Sequence, residues 1–391
     1  MCGSSYLSRF GHKKKTVKHC THFTFLYIVT CNIQRYKCKN CGYDFYEQDN
    51  FSFPNENLSI ESVFQILDLL KMPNMTFESV AKSMHISRQV VRNVFNKYIS
   101  YAAPSTLPKI ICFDEKHVTK RMTENTYLFV MVDFTNNKIF DILNSRRKFV
   151  LINYFKKIPL EKRKQVEFIT MDMWDTYKEV AELFFKNAKI AVDSFHVMRQ
   201  VNKAMEKIRT IVMQKYNNKA EEIENNHDYY YMLKKFKYFF VKEFDDIFDK
   251  RIYIHKLKCY MNKYEIKKYL FSIDPRLTLA YHLTEKYREF NRTCRFENAK
   301  SELLELIKIF KDSKLRPFVD CARTLTNWME YIVNSFIITD TNRRLSNGPC
   351  EGINAIIEKI NFNGNGYWNF FSFRNRCAYV INKDVPISYK K

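Results

Sequence analysis

The sequence predicts a mixed α/β protein in which a sheet edged by carboxylates is followed by a large helical block. Strand patterns separated by one helical segment run from about residue 109 to 192, and strand signals then vanish from about 196 to 335. A basic, cysteine-containing stretch and two short helical patterns precede the sheet. We therefore expect a small module over residues 1–50, a helical module over 51–105, and an α/β domain over 106–391 with a large all-helical insertion at about 200–340.

Composition narrows the function classes. The 65 Lys and Arg residues against 42 Asp and Glu give a net charge of +23, which favours a polyanionic partner such as nucleic acid. A Lys- and Asn-rich chain also arises from an AT-rich gene, so charge alone does not decide. The seven glycines leave none between residues 43 and 347, which excludes a phosphate-binding P-loop or dinucleotide fingerprint there.

Cysteine usage and hydropathy point to a cytoplasmic protein. The eleven cysteines are an odd number without an export signal, so we expect mostly reduced thiols. No apolar run approaches the roughly 18 residues of a membrane span, and we expect no membrane partner.

The first 50 residues contain a candidate zinc site. Cys38 and Cys41 form a CxxC pair followed by Gly42, the spacing of a zinc knuckle. Cys2 followed by Gly3 looks like the end of a second such turn whose first half is missing. Zn²⁺ would then have Cys2, Cys38 and Cys41 as ligands, or would recruit one further residue. The candidates for that further residue are Cys20, His22 and Cys31. A metal-free remnant of a zinc ribbon is the alternative.

Two capped helices follow and fit a helix-turn-helix. The segment from Thr76 to Tyr98 contains two short apolar patterns, and Ser87 is a good N-cap for the second. The outward side chains of the second helix are types that contact base edges and phosphates. They are Arg88, Gln89, Arg92, Asn93 and Lys97. An ordinary helical hairpin is the alternative.

Acidic residues follow three of the five predicted strands. Asp114 follows the run 109–113, Asp172 follows 166–171, and Asp193 follows 188–192, while 127–134 and 138–143 form a hairpin. Near the C-terminus, Glu351 lies at the start of a helix. Paired Mg²⁺ or Mn²⁺ ions that transfer phosphoryl groups need converging carboxylates, and Asp114, Asp172 and Glu351 fit that requirement.

At these motifs the sequence resembles the bacterial insertion-sequence DDE transposases of the ISL-three family. The matching segments are Phe113-Asp-Glu115, Met171-Asp-Met-Trp-Asp-Thr-Tyr177, Asn187 to Val197, Ser346 to Asn354 and Gly366 to Arg376. The resemblance implies an RNase H-like catalytic core interrupted by a helical insertion. It also implies that Asp114, Asp172 and Glu351 are the catalytic ligands of Mg²⁺ or Mn²⁺. Asp193 is the competing candidate for the second acid, and the match around Asp172 favours Asp172.

The resemblance assigns roles to several further residues. His196 would be a helper that orients DNA or a carboxylate, with a satisfied helix-start histidine as the alternative. By the chemistry of their side chains, Arg374 and Arg376 would hold phosphates, with exposed arginines of no measurable effect as the alternative. Trp174 and Tyr177 would either stack on an unpaired base or pack in the core.

As a transposase, the protein would bind the terminal inverted repeats of its element, act on double-stranded target DNA and assemble as a homo-oligomer. Family members usually begin with a complete CPxC pair and this chain starts inside it, so recognition of the repeats could be impaired. The alternatives are a DNA-binding relic without activity and a nuclease without strand transfer.

Overall fold

The computed structural model describes residues 2–22, 25–118, 122, 126–217, 226–340 and 342–388. The N-terminal module is a three-stranded antiparallel sheet of β1 (Leu7–His22), β2 (Phe25–Cys38) and β3 (Asp44–Tyr46), in that order. Strands β1 and β2 pair from Leu7 opposite Cys38 to His22 opposite Phe25. The CxxC turn therefore lies at one end of a long hairpin.

Three helices follow, and each begins where a hydroxyl side chain satisfies the first free backbone amides. Helices α1 (Ile60–Leu69), α2 (Phe77–Ser83) and α3 (Arg88–Tyr98) have Ser59, Thr76 and Ser87 as N-caps. The apolar side of α3, including Val91, Val94 and Phe95, is buried against the other two helices.

The central domain contains a mixed five-stranded sheet, which confirms the predicted α/β class. The strands are β4 (Ile110–His117), β5 (Tyr127–Asp133), β6 (Lys138–Leu143), β7 (Phe168–Met171) and β8 (Lys189–Val192), in the order β6-β5-β4-β7-β8. Strands β4, β7 and β8 are parallel, and β5 is antiparallel to both of its neighbours. Helices α4 (Lys148–Lys156), α5 (Leu160–Arg163) and α6 (Asp175–Phe184) connect β6 to β7 and β7 to β8.

Side chains alternate across this sheet and divide its packing into two cores. Phe113 and Phe129 point to the face covered by α4 and α6, where they contact Phe155 and Tyr177. Cys112 belongs to the opposite face. That face is covered by α14 (Gly348–Asn363) and α15 (Phe370–Asn382). Helices cover both faces of the sheet, so its polar side chains can reach solvent only at the edges.

The insertion between β8 and α14 is mostly helical. Its helices are α7 (Ser194–Lys215), α8 (Asn226–Lys235), a 3-10 helix (Lys237–Phe240), α9 (Lys263–Ser272), α10 (Pro275–Thr293), α11 (Phe296–Asp312), α12 (Arg316–Asn327) and α13 (Met329–Asn334). None of the described helices is both long and apolar enough to cross a lipid bilayer.

The expectation of an all-helical insertion is wrong, because a hairpin of β9 (Ile252–Ile254) and β10 (Cys259–Met261) interrupts it. The turn contains Lys258 at φ +51° instead of a glycine or asparagine, so the usual sequence signal of a hairpin is missing. Tyr253 and Tyr260 pair across the two strands, with ring centroids 5.0 Å apart.

Candidate metal centre and nucleic-acid interface

The register of the parallel strands brings three carboxylates to one edge of the sheet. Phe113 lies opposite Met171, and Met171 lies opposite Val192. The next residues along these strands are Asp114, Asp172 and Asp193. Strand β4 continues to His117 beside β5, so Asp114 lies inside its strand, at the point where β7 ends. The edge therefore gathers acids from three adjacent strands, as the sequence predicts.

Glu115 joins this group. Ligand oxygens of Asp114, Glu115 and Asp172 all lie within 4.8 Å of one another. One oxygen of Glu115, Oε1, accepts a hydrogen bond of 2.6 Å from Arg146, whose guanidinium lies over the ring of Trp174. The spacing of the strands does not reveal the place of Glu115 in this cluster.

Burial and like charge raise the pKa values of both aspartates. Burial, followed by repulsion from Asp172, raises the pKa of Asp114 from 3.8 to about 7. Burial also raises the pKa of Asp172 to about 6, while the nearby His196 opposes this rise. A cation bound between these two aspartates would stabilise their charged forms and lower their pKa values again.

His196 links two of the acids. Its Nδ1 atom lies 3.0 Å from Oδ1 of Asp172 and 3.3 Å from Oδ2 of Asp193. The hydrogen bond with Asp193 raises the pKa of His196. These three residues form a second group whose ligand atoms lie within 4.8 Å of one another. Asp193 is buried, with a side chain 6% exposed against 17% for Asp172, so Asp172 is the more accessible acid.

Two asparagines of α14 donate hydrogen bonds to these carboxylates: Asn347 is the N-cap of the helix, and Asn354 lies in its second turn. Nδ2 of Asn347 donates to Oδ1 of Asp172 at 3.2 Å and to the carbonyl of Phe113 at 3.0 Å. Nδ2 of Asn354 donates to Oδ2 of Asp114 at 2.8 Å. Sequence reasoning assigned neither role, although both residues lie inside the Ser346–Asn354 segment that carries the resemblance.

Glu351 lies near the centre but outside both groups. It is exposed in the first turn of α14, three residues before Asn354. The groups of close ligand atoms found among the described residues contain Asp114 and Asp172 without Glu351. The structure therefore brings the two aspartates together and leaves Glu351 one helical turn from the residue that contacts Asp114.

Trp174 and Tyr177, the two candidates for base stacking, contact each other next to the acidic edge of the sheet. The ring of Trp174 packs edge-on against that of Tyr177, with centroids 4.5 Å apart. Tyr177 is fully buried, and its hydroxyl donates to the carbonyl of Asp114 at 3.4 Å. Tyr177 is therefore a core residue and not a base-stacking surface.

The cysteine cluster has the geometry of a partial zinc site. Sulfur atoms of Cys2, Cys38 and Cys41 lie within 4.8 Å of one another, and those of Cys2 and Cys38 are 3.6 Å apart. Tetrahedral ligands at the usual Zn–S distance are separated by about 3.8 Å. Hydrogen bonds from the backbone N–H groups of Cys41 and Asn40 lower the pKa of Cys38 to about 7, which favours the thiolate that binds zinc.

The further zinc ligands considered from the sequence do not join this cluster. Cys31 lies opposite Lys15, seven residues from Cys38 along β2, which corresponds to about 23 Å. Cys20 is buried near α1, where its backbone N–H donates to Ser62. The backbone of His22 lies at the far end of the hairpin, and its side chain lies outside the described part of the chain.

The candidate recognition residues lie on the exposed side of α3. Arg88, Gln89, Asn93 and Lys97 are exposed, and Arg92 is half-buried. Gln89 donates to Asn93 at 2.7 Å, and Lys97 pairs with Glu56. The surface is therefore polar and basic, with one lysine partly neutralised.

The prediction that Arg374 and Arg376 hold phosphates is corrected, because both bind groups within the protein. Arg376 is 1% exposed and donates to the carbonyls of Met72 and Met75 at 3.0 and 2.8 Å. Arg374 pairs with the buried Asp141, and its guanidinium also donates to a backbone carbonyl. Arg376 therefore joins α15 to the segment between α1 and α2.

Comparison with known proteins gives one family match. The sequence model of a transposase family, the ISL-three type of DDE transposases, matches residues 111–377, about two thirds of the chain. The matched region begins within β4 and ends within α15, so it contains every residue of the acidic cluster. A search of curated proteins finds no match.

Proposed function

The chain belongs to the ISL-three family of DDE transposases, and on this premise we propose that it cleaves DNA at the ends of an insertion sequence and joins them to a target. DNA transposition is the activity of the family, and DNA is its substrate. The observation that carries the proposal is the convergence of Asp114 and Asp172 from adjacent parallel strands. The strand order β6-β5-β4-β7-β8 supports an RNase H-like core.

We propose that Asp114, Asp172 and Glu351 hold Mg²⁺ or Mn²⁺. Carboxylate oxygens are the donors these hard cations prefer. Burial first, and then neighbouring acids, raise the pKa values of Asp114 and Asp172, and a bound cation would stabilise their charged forms. Bound ions would activate the attacking oxygen and stabilise the leaving oxygen of an in-line displacement at phosphorus. Glu351 is included because residues three apart on a helix are neighbours, and Asn354 already contacts Asp114.

The surrounding side chains fix the acids in place. Asn347 donates to Oδ1 of Asp172, and Asn354 donates to Oδ2 of Asp114. The backbone N–H of Glu115 donates to the other oxygen of Asp114 at 2.7 Å. His196 contacts the same oxygen of Asp172 as Asn347, and this contact supports the proposal that His196 orients Asp172. Arg146 pairs with Glu115 and so lowers the repulsion among the three acids.

The N-terminal elements would provide the grip on DNA. Arg88, Gln89, Arg92, Asn93 and Lys97 on α3 would contact the terminal repeat as the second helix of a helix-turn-helix. Cys2, Cys38 and Cys41 would hold Zn²⁺ and fix the turn between β2 and β3. Bringing two ends of an element together requires at least two copies of the protein, so we propose a homo-oligomer on DNA.

The test is incubation of the protein and Mn²⁺ with labelled duplexes taken from directly upstream and downstream of its coding sequence. We expect a nick that leaves a 3′-OH at the repeat, followed by joining to a supercoiled plasmid, and no nick with Asp172→Ala. If Asp172→Ala cuts as well as the wild type, the site assignment is wrong. Cutting without joining identifies a nuclease.

A protein that only binds DNA is the second candidate function. The exposed position of Glu351, outside the close cluster of acids, favours it. In the same assay, tight binding of the wild type to the duplexes with no nick at any Mn²⁺ concentration identifies this alternative.

A further inference from the structure

The hairpin of β1 and β2 is a two-stranded ribbon over most of its length. Strand β3 pairs with β2 only from Arg35 to Lys37. Residues 13–17 of β1 and 29–33 of β2 therefore pair with each other and, among the described strands, with no third one. One end of the ribbon is held by α1 and the preceding residues, because Lys18 exchanges backbone hydrogen bonds with Asn57 and Ser59.

The two faces of this ribbon differ sharply in burial. Residues that pair across an antiparallel ladder share a face, and successive residues alternate between faces. On one face, Val17 and Ile33 are buried, and Lys15 pairs with Asp49. On the other face, three successive cross-strand pairs are exposed at all six positions. These pairs are Lys14–Asn32, Thr16–Thr30 and Lys18–Ile28.

The exposed face has no acidic neighbour in sequence. Residues 1–43 contain eight basic residues and no Asp or Glu. The ion pairs among the described residues of the module involve Lys15, His19 and Arg35, whereas neither Lys14 nor Lys18 takes part in one. Two lysines on one face are thus free to neutralise phosphates.

The shape and chemistry of this face fit the major groove of DNA. A two-stranded ribbon fits the groove, which is about 12 Å wide. From Lys14 to Lys18 the strand rises about 13 Å, the length of about four base pairs. Asn32 is the type of side chain that pairs with adenine, and the threonine methyl groups suit the methyl group of thymine.

We propose that the face formed by these six residues, the ribbon face, enters the major groove of the terminal repeat as a second recognition element beside α3. The proposal rests on the proposed function and deepens it, because it assigns bases and phosphates of the repeat to residues outside the helix-turn-helix. Lys14 and Lys18 contact phosphates or guanine, and Asn32, Thr16 and Thr30 read base edges.

The experiment measures DNA affinity of the full-length protein by fluorescence anisotropy across a range of KCl concentrations. Two probes are used: the duplex from directly upstream of the coding sequence and a scrambled duplex of the same composition. The double variant Lys14→Ala/Lys18→Ala is compared with Lys13→Ala/Lys37→Ala, which removes two charges from the other face of the same β1–β2 hairpin. Circular dichroism checks that both fold.

Loss of two phosphate contacts should reduce the slope of log K against log salt by about 2 and weaken binding by about tenfold per lysine at 0.1 M salt. The matched double variant should change the slope by less than half as much. Asn32→Ala should reduce the preference for the end duplex over the scrambled one by at least about fivefold, with an unchanged salt slope.

The result that overturns the proposal is an unchanged salt slope and unchanged preference in the ribbon-face variants while Arg92→Ala on α3 still weakens binding. A change confined to sedimentation behaviour would make the face a contact between copies of the chain and would also overturn it. A wild type that binds both probes equally refutes recognition of the ends in the proposed function. In that case the salt slopes on the scrambled duplex still decide whether the ribbon face contacts phosphates.

Discussion

Replacing Asp114 with asparagine should stabilise the protein in the absence of metal, and more so at high pH. Asp114 lies beside Asp172 and Glu115, and burial together with repulsion from Asp172 raises its pKa from 3.8 to about 7. An acid whose pKa is raised on folding binds its proton more tightly in the folded state. The contribution of Asp114 to the free energy of unfolding therefore falls as the pH rises from about 4 to about 7 and is constant above that.

The magnitude follows from the two pKa values. Each pH unit between them is worth about 1.4 kcal/mol, so the charge on Asp114 costs the folded state about 4 kcal/mol at pH 8 and about 1.5 kcal/mol at pH 5 for a rise from 3.8 to about 7. Asparagine keeps the shape and one accepting oxygen, so it keeps one of the two hydrogen bonds that Asp114 accepts from Asn354 and from the backbone N–H of Glu115. The loss of the other hydrogen bond is the same at both pH values. The gain in stability of Asp114→Asn over the wild type should thus be about 2.5 kcal/mol larger at pH 8 than at pH 5.

Urea denaturation in EDTA at both pH values measures this difference. Glu179→Gln is the control, because Glu179 is an exposed acid paired with Lys148, and its effect should be small at both pH values. Added Mn²⁺ should stabilise the wild type and leave Asp114→Asn almost unchanged. Equal effects of Asp114→Asn at pH 5 and pH 8, or a loss of stability at pH 8, would refute the claim that ionised Asp114 destabilises the metal-free protein.

Three further predictions follow from single contacts. Arg376→Met should lower the free energy of unfolding by about 2–3 kcal/mol, because it removes charged hydrogen bonds to two carbonyls; a loss no larger than that of the exposed Arg323→Met would contradict this. Cys38→Ser should lose bound zinc as measured by mass spectrometry, whereas Cys31→Ser should keep it; zinc retained in Cys38→Ser would exclude the cysteine cluster. His196→Ala should slow DNA cleavage by about 10- to 100-fold without weakening end binding, since it removes a partner of Asp172; an unchanged rate would make His196 a structural residue.

Much of the site could be predicted because it depends on local patterns. Apolar runs followed by an acid predict the three strands and place Asp172 and Asp193 directly after β7 and β8, whereas Asp114 lies inside β4. The N-caps of α2 and α3 are also local, since Thr76 and Ser87 satisfy backbone amides within three residues.

The remaining features depend on contacts between distant segments. Whether Arg376 meets solvent or a carbonyl is decided by how α15 packs on residues about 300 positions earlier. Asn347 and Asn354 reach the acids across more than 170 residues, so no spacing rule assigns them. Glu115 joins the cluster although adjacent strand residues point to opposite faces, and this needs the local geometry of β4 beyond the end of β7.

The central claim is that the acids of adjacent strands perform metal-dependent cleavage of DNA ends. The most direct measurement is the rate of nicking of the end duplex in Mn²⁺ by the wild type, Asp172→Asn and Asp193→Asn. The account predicts that Asp172→Asn lowers the nicking rate by more than about a hundredfold. This loss exceeds the roughly 10- to 100-fold loss expected for a residue that only hydrogen-bonds to a metal ligand. Asp193→Asn should lower the nicking rate less than Asp172→Asn. Wild-type nicking by Asp172→Asn, or a larger loss in Asp193→Asn, would contradict it.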